Sequence, residues 1–323
     1  MEKHVTRRDV LRTTGALAGS MWLTSHGLSA SPASKAPTPC LFTKPFRNRT
    51  FDQLPAVLNL LGITAADLTC RPGGHVLPEN VSEDLPRAVE LLRDNNITVP
   101  MLTTAIVDAN KDHAENIVRT AARLGIKFLK LGYYNYGDLR QLRPRLAEVK
   151  AQVKDIAALC KEHGVTAGFH NHSGGTVGGA MWDVWELIKD LPADAIGSYY
   201  DGRHATVEGG LSGWNIGLNL LIDRICMVAV KDFTWQQDAK SNWRATNSPL
   251  GEGMVHWPAI FARLKENGFS GPISMHMEYP VDGDYQAEVG SDKDKSNIEF
   301  VRRDMATMSR LLVESKLIPA KEG

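Results

Sequence analysis

Three short stretches in the second half of this chain end in groups able to bind a metal or move a proton. They are Gly168-Phe169-His170-Asn171-His172, Tyr199-Tyr200-Asp201-Gly202-Arg203-His204 and Ser274-Met275-His276-Met277-Glu278-Tyr279. A fourth, Met227-Val228-Ala229-Val230-Lys231-Asp232, sets a lysine and an aspartate at the same kind of place. Two carboxylates plus imidazoles suit Mn²⁺, Co²⁺, Zn²⁺, Fe²⁺ or Mg²⁺ with open coordination positions. Such an ion would hold adjacent oxygens of a sugar and polarise a carbonyl. The acidified neighbouring C–H could then pass its proton through an enediolate. Lys231 would stabilise the oxyanion, or act as acid and base if burial and the metal lowered its pKa.

Each of these groups follows an apolar run that reads as a β-strand. Eight such runs are expected, near Cys40–Lys44, Asp67–Arg71, Thr98–Thr104, Phe128–Gly132, Thr166–Asn171, Ala195–Asp201, Arg224–Lys231 and Pro272–Glu278. Between them, Leu85–Asn95, Ala114–Leu124 and Arg145–His163 carry apolar residues at three- and four-residue spacing, as amphipathic helices do. Gly125, Gly164 and Gly268 stand where helix C-caps belong. The pattern predicts an α/β fold, a single (β/α)₈ TIM barrel; an open doubly wound sheet would want a Gly-rich loop after its first strand, and none is there. A barrel gathers the C-terminal strand ends at one rim. His75 and Glu79 then follow the second strand, His170 and His172 end the fifth, Asp201 the sixth, Lys231 the seventh and Glu278 the eighth.

Every one of these residues also has a structural reading. Asp201 could cap a loop, Lys231 could pair with Asp232, and His170 with His172 could be a structural pair on one strand face. Glu278 at the end of an apolar strand needs a metal, a cation or water, because an uncompensated buried carboxylate is costly. Pro249-Leu250-Gly251-Glu252-Gly253 predicts a tight turn close to the pocket, with Glu252 either holding a sugar hydroxyl or starting the next helix. Trp214, Trp235 and Trp243 lie where flat rings could stack on a sugar or pack as a lid.

The first thirty-odd residues read as an address. Thr6-Arg7-Arg8-Asp9-Val10-Leu11 is a twin-arginine pattern, followed by a weakly apolar stretch and small residues that suit cleavage. This divides the chain into a signal segment, 1–33, and a catalytic domain, 34–323, and predicts a periplasmic or extracellular protein. Residues 1–30 hold four cationic and two acidic side chains, so losing them moves the formal net charge from zero to −2. With no basic stripe, nucleic acid is not an expected partner. The apolar stretch is too short to span a membrane, and a homo-oligomer built on outer helix faces is compatible with the pattern. Cys40, Cys70, Cys160 and Cys226 show no paired spacing and read as buried thiols, though export would permit a Cys40–Cys70 disulfide.

These motifs, in this order, resemble the xylose isomerase-like TIM-barrel superfamily of sugar phosphate isomerases and epimerases, which also holds the endonuclease IV type of repair enzyme. The resemblance spans most of the chain after the signal segment. It rests on Gly168–His172, Asp201-Gly202-Arg203-His204-Ala205, Val230-Lys231-Asp232-Phe233, Pro249–Gly253 and Pro272–Glu278. An exported branch is suggested by Arg71-Pro72-Gly73-Gly74-His75 together with the twin-arginine leader. The resemblance implies a divalent metal held by a glutamate, an aspartate, a histidine and a glutamate on strands five to eight. Asp201 and Glu278 match two of these positions, whereas the first falls on His170 and the third on Ala229. With Ala229 the missing ligand must come from water, His204, His172 or substrate. With His204 in that place the expected ligand set is His170, Asp201, His204 and Glu278, and Lys231, Glu278 and His172 are the expected catalytic groups. His75, Glu79, Arg203, Trp214, Glu252 and His276 are the expected substrate contacts.

The expected activity is metal-dependent isomerisation or epimerisation of a sugar or keto-sugar. Without the first glutamate, a one-base isomerisation or a keto-sugar lyase or hydratase reaction fits as well, and a non-catalytic sugar-binding barrel stays open. An endonuclease IV-like hydrolase would want more metal ligands and a cationic surface. Export and the lack of an evident basic cluster point to a small carbohydrate without phosphate.

Overall fold

Strand residues alternate between two surroundings, and this alternation builds the molecule. The structure, a computed structural model, describes residues 36–279 and 287–320. The expected signal segment, 1–33, lies outside the described residues. All eight expected strands form: β1 (Thr38–Phe42), β2 (Ala65–Cys70), β3 (Thr98–Thr104), β4 (Phe128–Lys130), β5 (Thr166–His170), β6 (Ile196–Asp201), β7 (Ile225–Val230) and β10 (Pro272–Met275). They pair in parallel and close into a barrel, with β10 between β7 and β1. Outward residues such as Leu41, Leu68, Leu102, Leu129, Phe169, Tyr200 and Ile273 join the large core under the helices. Inward residues Cys40, Ala65, Met101, Tyr199, Met227 and Ala229 fill the barrel itself. Gly168 makes room there: a Cβ on it would fall 2.0 Å from Met227 Cε.

The helices present one apolar stripe each. In α3 (Ala114–Arg123) the buried apolar residues are Ala114, Ile117, Val118 and Ala121; in α4 (Leu142–His163) they include Val149, Val153, Ile156 and Cys160. Burial of each such large side chain stabilises by about 1.5–3 kcal/mol. α4 stops at Gly164, whose φ of +65° a residue with a side chain adopts poorly. The long α9 (Asp292–Glu314) closes the ring of helices, and buried Asp294 near its start takes a two-pronged ion pair from Arg49, at 2.8 and 2.6 Å. Among the described residues no helix is long and apolar enough to cross a membrane. All four cysteines are free; Cys40 faces the barrel interior and Cys70 the outer core, so neighbouring strands do not bring them together.

One element was not expected. Directly after β7 the chain turns into an antiparallel hairpin, β8 (Asp232–Gln237) and β9 (Trp243–Ser248). It precedes α8 (Trp257–Glu266), and its root is organised by Asp232. That carboxylate accepts the backbone N–H groups of Phe233, Gly251 and Val255 at 3.0–3.1 Å. The Pro249–Gly253 turn is thus wound around Asp232, and a Cβ on Gly253 would strike Asp232 Oδ1 at 2.0 Å.

Candidate active site

The strand ends converge as a barrel requires, and their charges alternate. Asp201, the last residue of β6, is fully buried and serves as N-cap of α6 (Gly202–Gly209), its Oδ1 accepting the His204 backbone N–H at 3.0 Å. Its Oδ2 accepts from His170 Nε2 at 3.1 Å and forms an ion pair with Lys231 Nζ at 3.1 Å, with His204 Nε2 at 3.7 Å. Lys231 Nζ also donates to Glu278 Oε2 at 2.8 Å, and Lys44 Nζ donates to Glu278 Oε1 at 2.6 Å. The result is one chain of ions: Asp201, Lys231, Glu278, Lys44. Lys231 does not pair with Asp232, which faces the hairpin turn instead. Asn171 fixes the spacing of β5 and β6 at this level, its Oδ1 accepting from Asp201 N at 2.7 Å and its Nδ2 donating to Asp201 O at 3.0 Å.

These partners set the ionisation. Burial pushes the Asp201 and Glu278 carboxyls up, but facing cations outweigh it and hold both well below their ordinary values. For Lys231, burial pushes down and the two carboxylates push up more strongly, so it stays a cation. A lysine whose proton is held more tightly than usual acts as a fixed positive charge rather than as a ready acid or base. Burial holds His170 neutral, with its pKa near 4, and drives His204 and His276 well below the usual imidazole value. His204, Lys231 and His170 all favour the Asp201 carboxylate, and of the three Lys231 is the one that carries a full charge at neutral pH.

The hydrogen-bond network also assigns the tautomers. Asp201 can only accept, so His170 carries its proton on Nε2, and its Nδ1 accepts from Tyr133 Oη at 3.1 Å. His204 Nδ1 accepts from Arg203 Nη1 at 3.0 Å, so its proton is on Nε2, facing Asp201. His172 Nδ1 donates to the Ser173 carbonyl at 2.9 Å, which leaves Nε2 with an unprotonated lone pair. His172 is half-buried, its ring 3.9 Å from that of His204 and 4.7 Å from that of Tyr133. It is the best-placed base in the mouth.

Other expected contacts are placed elsewhere. Both ring nitrogens of His75 are consumed in tying the first two strand loops together, with Thr69 Oγ1 at 2.8 Å, Thr43 Oγ1 at 3.2 Å and the Phe46 carbonyl at 3.0 Å. Glu79 is exposed and lines a cleft with Asp112 and His113. Trp214 lies in α7 (Gly213–Leu221), buried in the outer core and stacked on His256, because its turn packs on the outside of β6. Glu252 is exposed and faces Arg303 at 3.7 Å. Arg203 is buried and spans from Ser173 Oγ at 3.0 Å to the Ala245 carbonyl at 2.9 Å, bracing the hairpin rather than offering itself to a ligand. His276 lies in the floor, bonded to Tyr199 Oη at 2.9 Å and stacked on Phe42.

Several residues were missed. Lys44 falls at an expected strand end, so the rule that found Lys231 could have found it; Lys130 sits two residues inside the expected Phe128–Gly132 strand and becomes a strand end only because β4 stops there. Asp67, buried below the mouth, accepts from Thr103 at 2.8 Å and Ser274 at 2.8 Å, and burial lifts its pKa to about 7. Lys44, Arg47 and Arg71 line a cleft of about 330 Å³ beside this rim, a cationic grouping that joins the loop after β1 to the loop after β2.

The sequence profile described as xylose isomerase-like TIM barrel matches residues 56–302. This chain belongs to the xylose isomerase-like TIM-barrel family. No curated protein matches it in sequence. Solved members of similar fold include an L-ribulose 3-epimerase (14% identity, TM-score 0.64, covering 89% of this chain and 99% of that one). A xylose isomerase-like TIM-barrel protein from Mycobacterium smegmatis in complex with magnesium is also similar (16%, 0.62, 88% and 98%). A third is the probable 3-DHS dehydratase AsbF of Bacillus anthracis (16%, 0.58, 84% and 98%). At such identities the likeness is one of fold.

For this xylose isomerase-like barrel, the four expected metal ligands do not fit an ion as arranged. Among the described residues no three His, Cys, Asp or Glu side chains are gathered around one point as a metal needs. The reason is visible in the donors. The lone pair of His170 is turned to Tyr133, that of His204 to Arg203, and both oxygens of Glu278 hold lysines. The two carboxylates, Asp201 and Glu278, are organised around the Lys231 ammonium group instead.

Proposed function

We propose that this protein is a carbohydrate-transforming enzyme that moves a proton at the carbon next to a sugar carbonyl, using the Lys231 ammonium where relatives of this fold use a divalent ion. The observation that carries this reading is Lys231 held between Asp201 and Glu278 at 3.1 and 2.8 Å. A buried, permanently charged donor stabilises a developing enediolate oxygen far better than water does. His172, with its free Nε2, is the base. His170 stands where a second carboxylate would be needed for symmetrical epimerisation, so one-base isomerisation or β-elimination from a keto-sugar is the chemistry these residues favour. The twin-arginine pattern supports an exported enzyme working on a free sugar or glycoside, and the cationic cleft at Lys44, Arg47 and Arg71 would accept an acidic substituent.

The test is hydrogen exchange. The protein is incubated in D₂O with ketohexoses and keto-glycosides, with EDTA or with Mn²⁺, and deuterium at the carbon beside the carbonyl is followed by NMR. Exchange in EDTA that disappears in Lys231→Met is the expected result. Absence of exchange and of conversion with every keto-sugar would remove the reading, and exchange that appears only with Mn²⁺ would remove the role given to Lys231.

A further inference from the structure

A second lysine at the same mouth is in the opposite condition. Lys130 ends β4, where Phe128 and Lys130 point inward and Leu129 outward. It is 2% exposed, and among the described residues its Nζ has no hydrogen-bond partner. What covers it is the Tyr133 ring, with Nζ 3.7 Å from the ring centroid. A buried ammonium normally finds a carboxylate; Asp67 instead spends its two oxygens on Thr103 and Ser274, and Glu278 is taken by Lys231 and Lys44. Burial, then Arg71, drive the Lys130 pKa well down, with Lys231 adding to them and Asp67 and Glu278 opposing. A lysine placed like this, buried and without a carboxylate of its own, gives up its proton more readily than one in water, which frees its lone pair.

We propose that Lys130 is a nucleophile that captures the substrate carbonyl as an imine, with Tyr133 as its movable cover. This rests on the reading that the substrate is a carbonyl sugar. Tyr133 is 41% exposed and bonded through its hydroxyl to His170 Nδ1, so the ring over Nζ faces the mouth and one hydrogen bond holds its tip. In the capture step the Nζ lone pair forms a bond to the carbonyl carbon, and the C=O π pair moves onto oxygen. That oxygen takes up protons and leaves as water, giving a protonated imine. The iminium draws electrons from the neighbouring C–H, so His172 can remove that proton to give an enamine. Reprotonation at carbon and addition of water return the amine and release the product. Lys231 cannot do this, since it has no lone pair, and Lys44 is engaged with Glu278.

The experiment treats the full chain with dihydroxyacetone or D-fructose and sodium cyanoborohydride, followed by intact mass and peptide mapping. A single reduced adduct on Lys130 is expected, formed about tenfold faster than on exposed lysines such as Lys154 and Lys265. It should be absent in Lys130→Met and faster in Tyr133→Ala. Lys130 left unlabelled in the wild type, or labelled no faster than the exposed lysines, overturns the proposal; this comparison needs no variant to fold. Keto-sugar exchange in D₂O with Lys130 unlabelled removes the imine and leaves the proposed function standing. Lys130 labelled with no exchange of any keto-sugar does the reverse.

Discussion

The two sides of the barrel mouth handle buried charge in opposite ways. On the β6–β7–β10 side the carboxylates and lysines pair in one chain, from Asp201 through Lys231 and Glu278 to Lys44. On the β2–β4 side the ionisable groups stand apart: Asp67 is held near pH 7 by burial, and Lys130 has no hydrogen-bond partner among the described residues. Lys130 and Lys231 are the same residue type at similar strand ends, about equally buried, yet the pKa of one is driven down and that of the other is raised. Neighbours, not identity or depth, decide what a lysine can do. A charged lysine can only stabilise an anion, and a neutral one can form a bond.

The comparison can be broken first at Asp201. Asp201→Asn leaves Lys231 and Glu278 unbalanced in a buried setting, which should cost about 3–5 kcal/mol of stability in urea unfolding and abolish turnover. A fall smaller than about 1 kcal/mol would mean that the paired side is not the structural keystone described here. Lys231→Met should lower keto-sugar exchange on the order of 10²–10³-fold, the scale for loss of one oxyanion donor, and Lys231→Arg should recover part of it.

Acid sharpens the contrast next. His170 and His75 titrate near 4 in the folded chain and near 6.5 unfolded, so between those values the unfolded state binds more protons. Stability should therefore fall as pH drops from about 6.5 to 4, by about 3 kcal/mol for each histidine at the end of its titration. Asp67 opposes this, since its raised pKa favours the folded chain at low pH and loses that advantage as pH rises through about 7. The histidines outnumber it, so the midpoint of thermal unfolding should decline on acidification; a flat profile to pH 4.5 would contradict their burial as neutral groups.

On the unpaired side the sign reverses. Lys130→Met removes an unsatisfied buried amine at nearly constant volume and should stabilise by about 1–3 kcal/mol, read as a higher melting temperature. Loss of stability would show that Lys130 has a structural partner after all. Smallest of all, Trp243→Ala at the hairpin, where the side chain is 65% exposed, should change stability by less than about 0.5 kcal/mol. A larger change would place that indole in the packed structure.

The barrel was legible because parallel strands buried on both faces leave unbroken apolar runs, and all eight were visible as such. The hairpin was not, since Asp232–Gln237 and Trp243–Ser248 are polar and half-exposed and carry no apolar alternation strong enough to separate them from loop. Asp201, His170, Lys231 and Glu278 were found by their position at strand ends. Their roles were not, because a ligand and a counter-ion can be the same residue, and only the direction of a proton on His170 or His204 separates them. His75 and Trp214 misled for the opposite reason. Each is a chemically able side chain near a strand end whose polar atoms or ring are satisfied by its own loop or helix.

Asn171 gives the site an adjustable dimension. Its amide offers one donor and one acceptor to the main chain of Asp201, so it is a rung of the β5–β6 ladder made from a side chain rather than a peptide. A peptide rung cannot be edited without rebuilding the strand, but this one can be lengthened to glutamine or cut to alanine by a single codon. The gap between His170 and Asp201, and with it how tightly Lys231 is gripped, is thus a setting that evolution or an engineer can turn while the barrel stays as it is.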